Sequence, residues 1–124
     1  MKTASIIIIG NEILSGRTKD TNSNYLAKIL VEKGILLQEV RVIPDNHNII
    51  TSVVNRESSL KDYVFTSGGI GPTHDDITAE SIASCFDVPL LVRDDAVELL
   101  AMNYKNGKKD LNAARLRMAR IPEG

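Results

Sequence analysis

Three acidic side chains and three glycines fall within one short stretch, Gly68-Gly69-Ile70-Gly71-Pro72-Thr73-His74-Asp75-Asp76-Ile77-Thr78-Ala79-Glu80. Glycine removes the side chain where backbone must approach a ligand or another segment closely. A glycine loop that runs into a helix N-terminus presents bare N–H groups and the positive end of the helix dipole, which together attract anions. Carboxylates beside such a site would repel a phosphate unless a cation lay between them. The combination predicts a phosphate- or metal-binding loop. The alternative is that Asp75 or Asp76 only caps the following helix. A cap is worth about 1 kcal/mol and needs one acid, whereas this stretch holds two adjacent acids and Glu80. Gly-Gly-Ile-Gly lacks the spacing of the dinucleotide fingerprint, and no Lys follows it as in a P-loop.

The elements that must position this loop are legible on both sides of it. Tyr63-Val64-Phe65 is a short apolar run and predicts a buried strand. Ile77, Ile82, Ala83 and Phe86 mark the helix after the loop. At the start of the chain, Ser5-Ile6-Ile7-Ile8-Ile9 ends at Gly10, the pattern of a central strand covered on both faces. Asn11 to Ser15 follows as a loop, ending at Gly16. Asp20-Thr21-Asn22 opens a helix with Leu26, Ile29 and Leu30 on one face and Gly34 as its stop.

Ile35 to Ile43 predicts a second strand, halted by Pro44. Asp45-Asn46 caps a helix with the stripe Ile49, Ile50, Val53 and Val54. Beyond the glycine loop and its helix, Val88 to Val92 is an extended piece kept to an edge by Pro89. Asp94-Asp95 caps a fourth helix, and Asp110 caps a last one carrying Leu111, Ala114 and Met118. Alternating strands and helices predict an α/β fold, a mainly parallel sheet with helices on both faces in three αβα layers. Ligands of such sheets bind beyond the carboxyl ends of the strands. Glu12 and the Asp75/Asp76 pair are therefore expected at one edge.

With 124 residues the chain is expected to form a single domain, residues 1–124. Its 43% hydrophobic and 25% charged residues are ordinary for a soluble globular protein. A net charge of −1 gives no sign of nucleic-acid binding or of attachment to a membrane surface. Cys85 is the one cysteine, so an internal disulfide and a cysteine zinc site are excluded, and a reducing, cytoplasmic setting is expected. Its place late in a helix predicts a small core filler rather than a nucleophile.

Three segments carry a family resemblance: Ile9-Gly10-Asn11-Glu12-Ile13-Leu14-Ser15-Gly16, Asp20-Thr21-Asn22-Ser23, and Thr66 through Thr78. Together they resemble the molybdopterin-binding-like domain at the N-terminus of the competence/damage-inducible CinA proteins. That fold is shared with molybdenum-cofactor biosynthesis proteins of the MogA and MoaB type and with the hydrolase half of eukaryotic FAD synthase. Arg117 through Gly124 looks like the family's segment leading into its last strand, so the resemblance implies that the C-terminal strand or strands and part of the pocket wall lie outside this sequence. The family's C-terminal deamidase domain is outside it too.

The resemblance implies two kinds of activity. In the cofactor-biosynthesis branch the fold binds molybdopterin. In the CinA and FAD-synthase branch it resembles a pyrophosphatase acting on ADP-ribose or FAD, dependent on a divalent ion such as magnesium, cobalt or manganese and stimulated by potassium. The details here look like the CinA branch, and relatives are homo-oligomers, dimers or trimers. Many relatives have Gly-Asp-Glu where this chain has Gly10-Asn11-Glu12, which removes one carboxylate.

On this resemblance Asp76, Asp75 and Glu12 are the metal-directed acids, each weighed against a helix cap or a solvated loop acid. Gly68, Gly69 and Gly71 would offer N–H groups to phosphate, a role compatible with a tight turn. Ser67 and Thr73 could add hydroxyl donors. Asp20 and Asn22 match the Asp-Thr-Asn motif and could read ribose or ring edges, or form an N-cap. His74 is a candidate acid or base because histidine titrates near neutral pH, although a lone loop histidine is more often solvated. His47 and the arginines Arg115, Arg117 and Arg120 are expected on solvated faces.

Overall fold

The computed structural model describes residues 1–124. Its centre is β1 (Thr3–Ile9), paired in parallel with β2 (Leu36–Ile43) on one side and β3 (Tyr63–Ser67) on the other, in the order β2-β1-β3. A strand with neighbours on both edges and layers on both faces must be apolar throughout. Ile6, Ile7, Ile8 and Ile9 are each 3% exposed or less, and burying each contributes about 1.5–3 kcal/mol.

Strand alternation divides that run between two cores. Ile7 and Ile9 pack with Ile43 and with Ile50 and Val54 of α3 (His47–Leu60), joined by Ile82 and Cys85 of α4 (Thr78–Cys85). Ala4, Ile6 and Ile8 pack with Leu26 and Leu30 of α2 (Asn22–Glu32) on the other face. The three αβα layers follow from these two stripes. Cys85 is the core filler expected, and burial pushes its thiol pKa up, which makes it a poor nucleophile.

Helix ends are set by local chemistry. Asn46 accepts from the Ile49 N–H to cap α3. At the end of α2, the Ile35 and Gly34 N–H groups return to the Leu30 and Val31 carbonyls, the paired bonds of a Schellman stop.

Several expectations need correction. Asn11–Leu14 is not a loop but a one-turn helix, α1, because Ile13 can then pack beneath the β1 core. The third strand is not fully buried: β3 pairs only with β1, so its outer edge is free and Tyr63 is 44% exposed. Asp94 and Asp95 lie inside α5 (Asp94–Ala101) rather than capping it, and Asp95 instead holds Arg93 and the Ala96 N–H. Asp110 is not the last cap either, since its carboxylate accepts from Asn106. Asn112 caps the short α6 (Ala113–Leu116) through the Arg115 N–H. After α6 a 3-10 turn leads into β5 (Arg120–Pro122), which pairs antiparallel with β4 (Leu90–Val92) as a separate ribbon. Too short for periodicity to reveal, β5 was not expected as a strand.

No helix is long and apolar enough to cross a membrane.

Candidate functional site at the carboxyl edge

Because the three central strands are parallel, the segments after β1, β2 and β3 emerge at one edge of the sheet. Gly10 through Leu14, Pro44-Asp45 and the glycine loop meet there. The loop is built so that only glycine fits at two positions. Gly68 and Gly69 have φ of 93° and 65°, and a Cβ on Gly68 would lie 2.0 Å from the Ile9 carbonyl oxygen. The loop therefore lies across the end of β1. Thr78, 2% exposed, fixes it from the other side: its hydroxyl donates to the Gly68 carbonyl at 2.8 Å and its N–H to the Gly69 carbonyl at 3.1 Å. The glycines thus serve close packing, and they also leave donors free. The N–H groups of Gly69, Ile70 and Gly71 donate to no acceptor within the chain.

Beside the loop lies a polar depression of about 510 Å³. Glu12, Asp75, Asp76, His74 and Thr73 line it, so the topology brings Glu12 and the aspartate pair together as expected. Neither Asp75 nor Asp76 caps α4, whose N-cap is Ile77 with no side-chain bond. Asp76 is half-buried and accepts from the Thr73 N–H at 3.0 Å and the Thr73 hydroxyl at 2.8 Å, which fixes one oxygen of its carboxylate. Asp75 and His74 face solvent, 85% and 92% exposed, and touch each other at 3.5 Å. Glu12 folds back over Gly10, where a Cβ would lie 2.5 Å from its Oε1.

Two residues of this depression were not singled out from sequence. Asp45 lines it because α3 takes Asn46 as its cap, leaving Asp45 to exchange hydrogen bonds with Asn11: the Asn11 N–H to Asp45 at 3.0 Å and the Asp45 N–H to Asn11 at 3.1 Å. Its position just after β2 was the available signal, since that strand also ends at this edge. Arg17 lines it as well and is the one arginine there.

The depression continues on either side. Glu12 also borders a pocket of about 200 Å³ holding Asp20, Asn22, Ser67 and Gly68. There Asn22 donates to the Ser67 hydroxyl at 2.8 Å, and Asp20 accepts from the Ser23 N–H and hydroxyl. Asp20 is thus tied to Ser23 in the first turn of α2, one residue before the Thr21 N-cap, which has no side-chain bond of its own. On the other side Asp76 also borders a pocket of about 240 Å³ between the loop, α4 and β5.

Arg117 and Arg120 line that second pocket instead of forming a solvated face. Both reach Glu80, at 3.2 and 2.9 Å, and Arg117 also donates to the Asp76 carbonyl. The Arg120 hydrogen bond, aided by the charges of both arginines, holds the Glu80 carboxyl below the usual glutamate range despite partial burial. Arg115 stacks on Tyr104, 4.4 Å from the ring centroid, away from the site. His47, although on the surface, meets the buried Ser81 hydroxyl at 3.0 Å and ties α3 to α4.

The oxygen donors of Glu12, Asp75 and Asp76 suit a hard cation. No three acidic, histidine or cysteine side chains are gathered closely enough to cage an ion by themselves. Magnesium-type sites need no such cage, because one or two carboxylates and the ligand's phosphates complete the coordination. The donor set fits a metal of that kind.

Residues 5–121 match the family described as "Probable molybdopterin binding domain". The chain is 43% identical over 111 residues to a "Probable FAD synthase" of Caenorhabditis briggsae, covering 87% of this chain and 21% of that protein. Among solved structures, the CinA protein of Thermoplasma acidophilum superposes with a TM-score of 0.85 at 38% identity, covering 98% of this chain and 70% of that one. MoaB from Thermus thermophilus shares the fold at 17% identity and a TM-score of 0.65, covering 98% of this chain and 79% of that one. The chain spans about half the length of three archaeal relatives that it matches at 38–41% identity. A parallel sheet of this order, a glycine loop across its edge and these likenesses agree: the chain belongs to the molybdopterin-binding domain family, among its CinA-like members.

Proposed function

We propose that this domain binds a nucleotide-type diphosphate such as ADP-ribose or FAD at the carboxyl edge and hydrolyses its pyrophosphate bond with the help of a divalent cation. The observation that carries the reading is that Asp76 lies between two parts of one edge: a pocket bordered by Gly69, Ile70 and Gly71, whose N–H groups are free, and an acidic depression that it lines with Glu12 and Asp75. The N–H groups attract phosphate and the acids repel it, and a cation reconciles the two.

Magnesium, manganese or cobalt, held by Asp76 with Asp75 and Glu12, would supply charge neutralisation and a more acidic water. The chain's own part is positioning. Thr73 fixes Asp76 through two hydrogen bonds, so that side chain meets the ligand without first being ordered. The N–H groups of Gly69, Ile70 and Gly71 receive phosphate oxygens. Asp75 and His74 face the solvent side, where an attacking water enters and can give up its proton. Water oxygen bonds to one phosphorus, the bridging P–O bond breaks, and two monophosphates leave, AMP being one of them. Potassium stimulation, a cytoplasmic setting and a homo-oligomeric state belong to this reading through the family resemblance.

A second reading, a module that binds molybdopterin or a nucleotide without turning it over, is favoured by one observation. The Asp76 carboxylate already serves its own loop, as a purely structural residue would. Release of AMP from ADP-ribose and from FAD, with and without a divalent ion, separates the two. Metal-dependent release that disappears in Asp76→Asn supports hydrolysis. Ligand binding with no release, equal in wild type and Asp76→Asn, leaves the binding module.

A further inference from the structure

We infer that the outer edge of β2 is an interface at which two copies of this chain pair as antiparallel neighbours, about a two-fold axis through Val40. Two three-stranded sheets then become one sheet of six strands. The inference stands apart from the proposed function, because it concerns the side of the sheet and not its carboxyl edge.

The side is open. β2 pairs only with β1. The Gly10 N–H donates to the Ile43 carbonyl, so Ile43 turns its backbone groups towards β1. Strand alternation turns those of Glu39 and Arg41 the same way and those of Val40 and Val42 outwards. Val40 and Val42 stand opposite Ile6 and Ile8 in the β1–β2 register, on the face that α2 covers over β1. Yet they are 44% and 38% exposed. Unpaired backbone groups with apolar side chains make an edge strand a template for another chain. No proline lies within β2 to prevent this.

The occupant follows from self-complementarity. An axis through Val40 sets that residue against its own copy as a hydrogen-bonded pair, using the outward groups. Glu39 then stands opposite Arg41 of the second copy, and Arg41 opposite Glu39 of the second copy. Both are non-hydrogen-bonded pairs, in which side chains come closest. Opposite charges across two strands are favourable, and like charges directly opposite are not. Within one chain Glu39 already holds Arg41 at 2.8 Å and Arg56 at 3.8 Å. Pairing would merge the two sets into one network of alternating charge.

The same charges select the register. An axis one residue further on would set Arg41 against Arg41 of the second copy. The β1–β2 register also shifts between Ala4 and Ser5, which leaves Gln38 unmatched and confines the regular ladder to residues 39–43. An unrelated strand has no reason to present a base to Glu39 and an acid to Arg41, whereas an antiparallel second copy does so by symmetry. Because the second β2 runs the other way, the two carboxyl edges lie at opposite ends of the joined sheet and both stay open.

Sedimentation of the 124-residue chain over a concentration series reads its mass against the 13.6 kDa of one chain. Val40→Lys puts like charges on the axis at an exposed position, with circular dichroism and thermal unfolding to check that the variant folds. The expected result is a wild-type dimer whose dissociation constant rises at least tenfold in Val40→Lys. Mild oxidation reads the register. Cα atoms of a hydrogen-bonded antiparallel pair are about 5.5 Å apart, within reach of a disulfide. Val40→Cys should therefore crosslink to a second copy, whereas Val42→Cys alone should not, against the baseline of wild type with its partly buried Cys85. A monomer at every concentration up to about 1 mM would overturn the inference. So would a dimer that Val40→Lys leaves intact, or one that Val42→Cys crosslinks as readily as Val40→Cys. Crosslinking only in a mixture of Val40→Cys and Val42→Cys would move the axis to Arg41 and overturn the register argued from charge.

Discussion

β1 has an acidic cluster at each end, and the two are opposite in kind. Near its start, Glu57 of α3 lies fully buried, accepting from the Ser5 hydroxyl at 2.7 Å with Arg56, Arg41 and Lys61 around it. Past its end, Glu12, Asp75 and Asp76 line an open depression in which one arginine, Arg17, also lies. Burial alone would push the Glu57 carboxyl up, but the Ser5 hydrogen bond and the charges of Lys61 and Arg56 outweigh it and hold the group below its ordinary range. The first cluster meets its buried acid with cations of the same chain. The second has acids in excess of its internal partners, and the proposed function rests on that excess.

The sharpest way to break this contrast is to treat both ends alike. Glu57→Gln leaves Lys61, whose side chain is 10% exposed, without its counter-charge, while Arg41 and Arg56 keep Glu39. Removing one partner from a buried ionic group costs about 3–5 kcal/mol, so urea unfolding should show a loss of that order. A loss well under 1 kcal/mol would mean the buried cluster holds nothing together.

Asp76→Asn should behave in the opposite manner. Pyrophosphate cleavage should fall by about 100-fold or more, while stability changes by no more than about 1 kcal/mol, the value of a loop hydrogen bond. A large stability loss with activity retained would make Asp76 structural and reverse its assignment.

Gly68→Ala tests the platform under the second cluster. At φ 93°, with the Ile9 carbonyl 2.0 Å from the new Cβ, backbone strain alone costs about 1–3 kcal/mol. Thermal unfolding should register that loss, and diphosphate binding should weaken with it. Unchanged stability would show that the loop relaxes freely and is not held across the strand end.

The smallest effect is the pH dependence. Glu57 and Glu80 both have folded pKa values depressed below the ordinary 4.5. For a depressed carboxyl the stabilisation is fully present above the unfolded value and is lost as pH falls through the folded one. Stability should therefore be flat in these groups above about pH 5 and decline below pH 4.5. In Glu80→Gln the decline should be shallower, measured by unfolding between pH 3 and pH 6 at roughly half-unit steps.

The contrast also explains what the sequence disclosed. The isoleucine run of β1, the stripes of α2 and α3 and the glycine loop were legible because burial there is apolar and periodic. The convergence of Glu12 with Asp75 and Asp76 followed from strand direction alone. Glu57 was not legible, although it continues the Ile50–Val54 stripe of α3, because charge ordinarily argues for exposure and its partner Ser5 is distant in sequence. Arg117 and Arg120 were hidden for the same reason, their partner Glu80 being 37 and 40 positions away. Asp45 was obscured by a neighbouring asparagine equally able to cap. Long-range polar pairing leaves no local period, and that is where reading from sequence stopped.

The central claim is that the cation-binding acids are those at the carboxyl edge, working with the glycine loop. Its most direct test is paramagnetic broadening of amide signals by substoichiometric manganese in the presence of inorganic pyrophosphate. The account predicts selective loss of the Glu12, Gly69, Gly71, Asp75 and Asp76 signals, with those of Ser5, Glu57 and Lys61 unaffected. Uniform weak broadening, or broadening centred on the Glu57 end of β1, would contradict it.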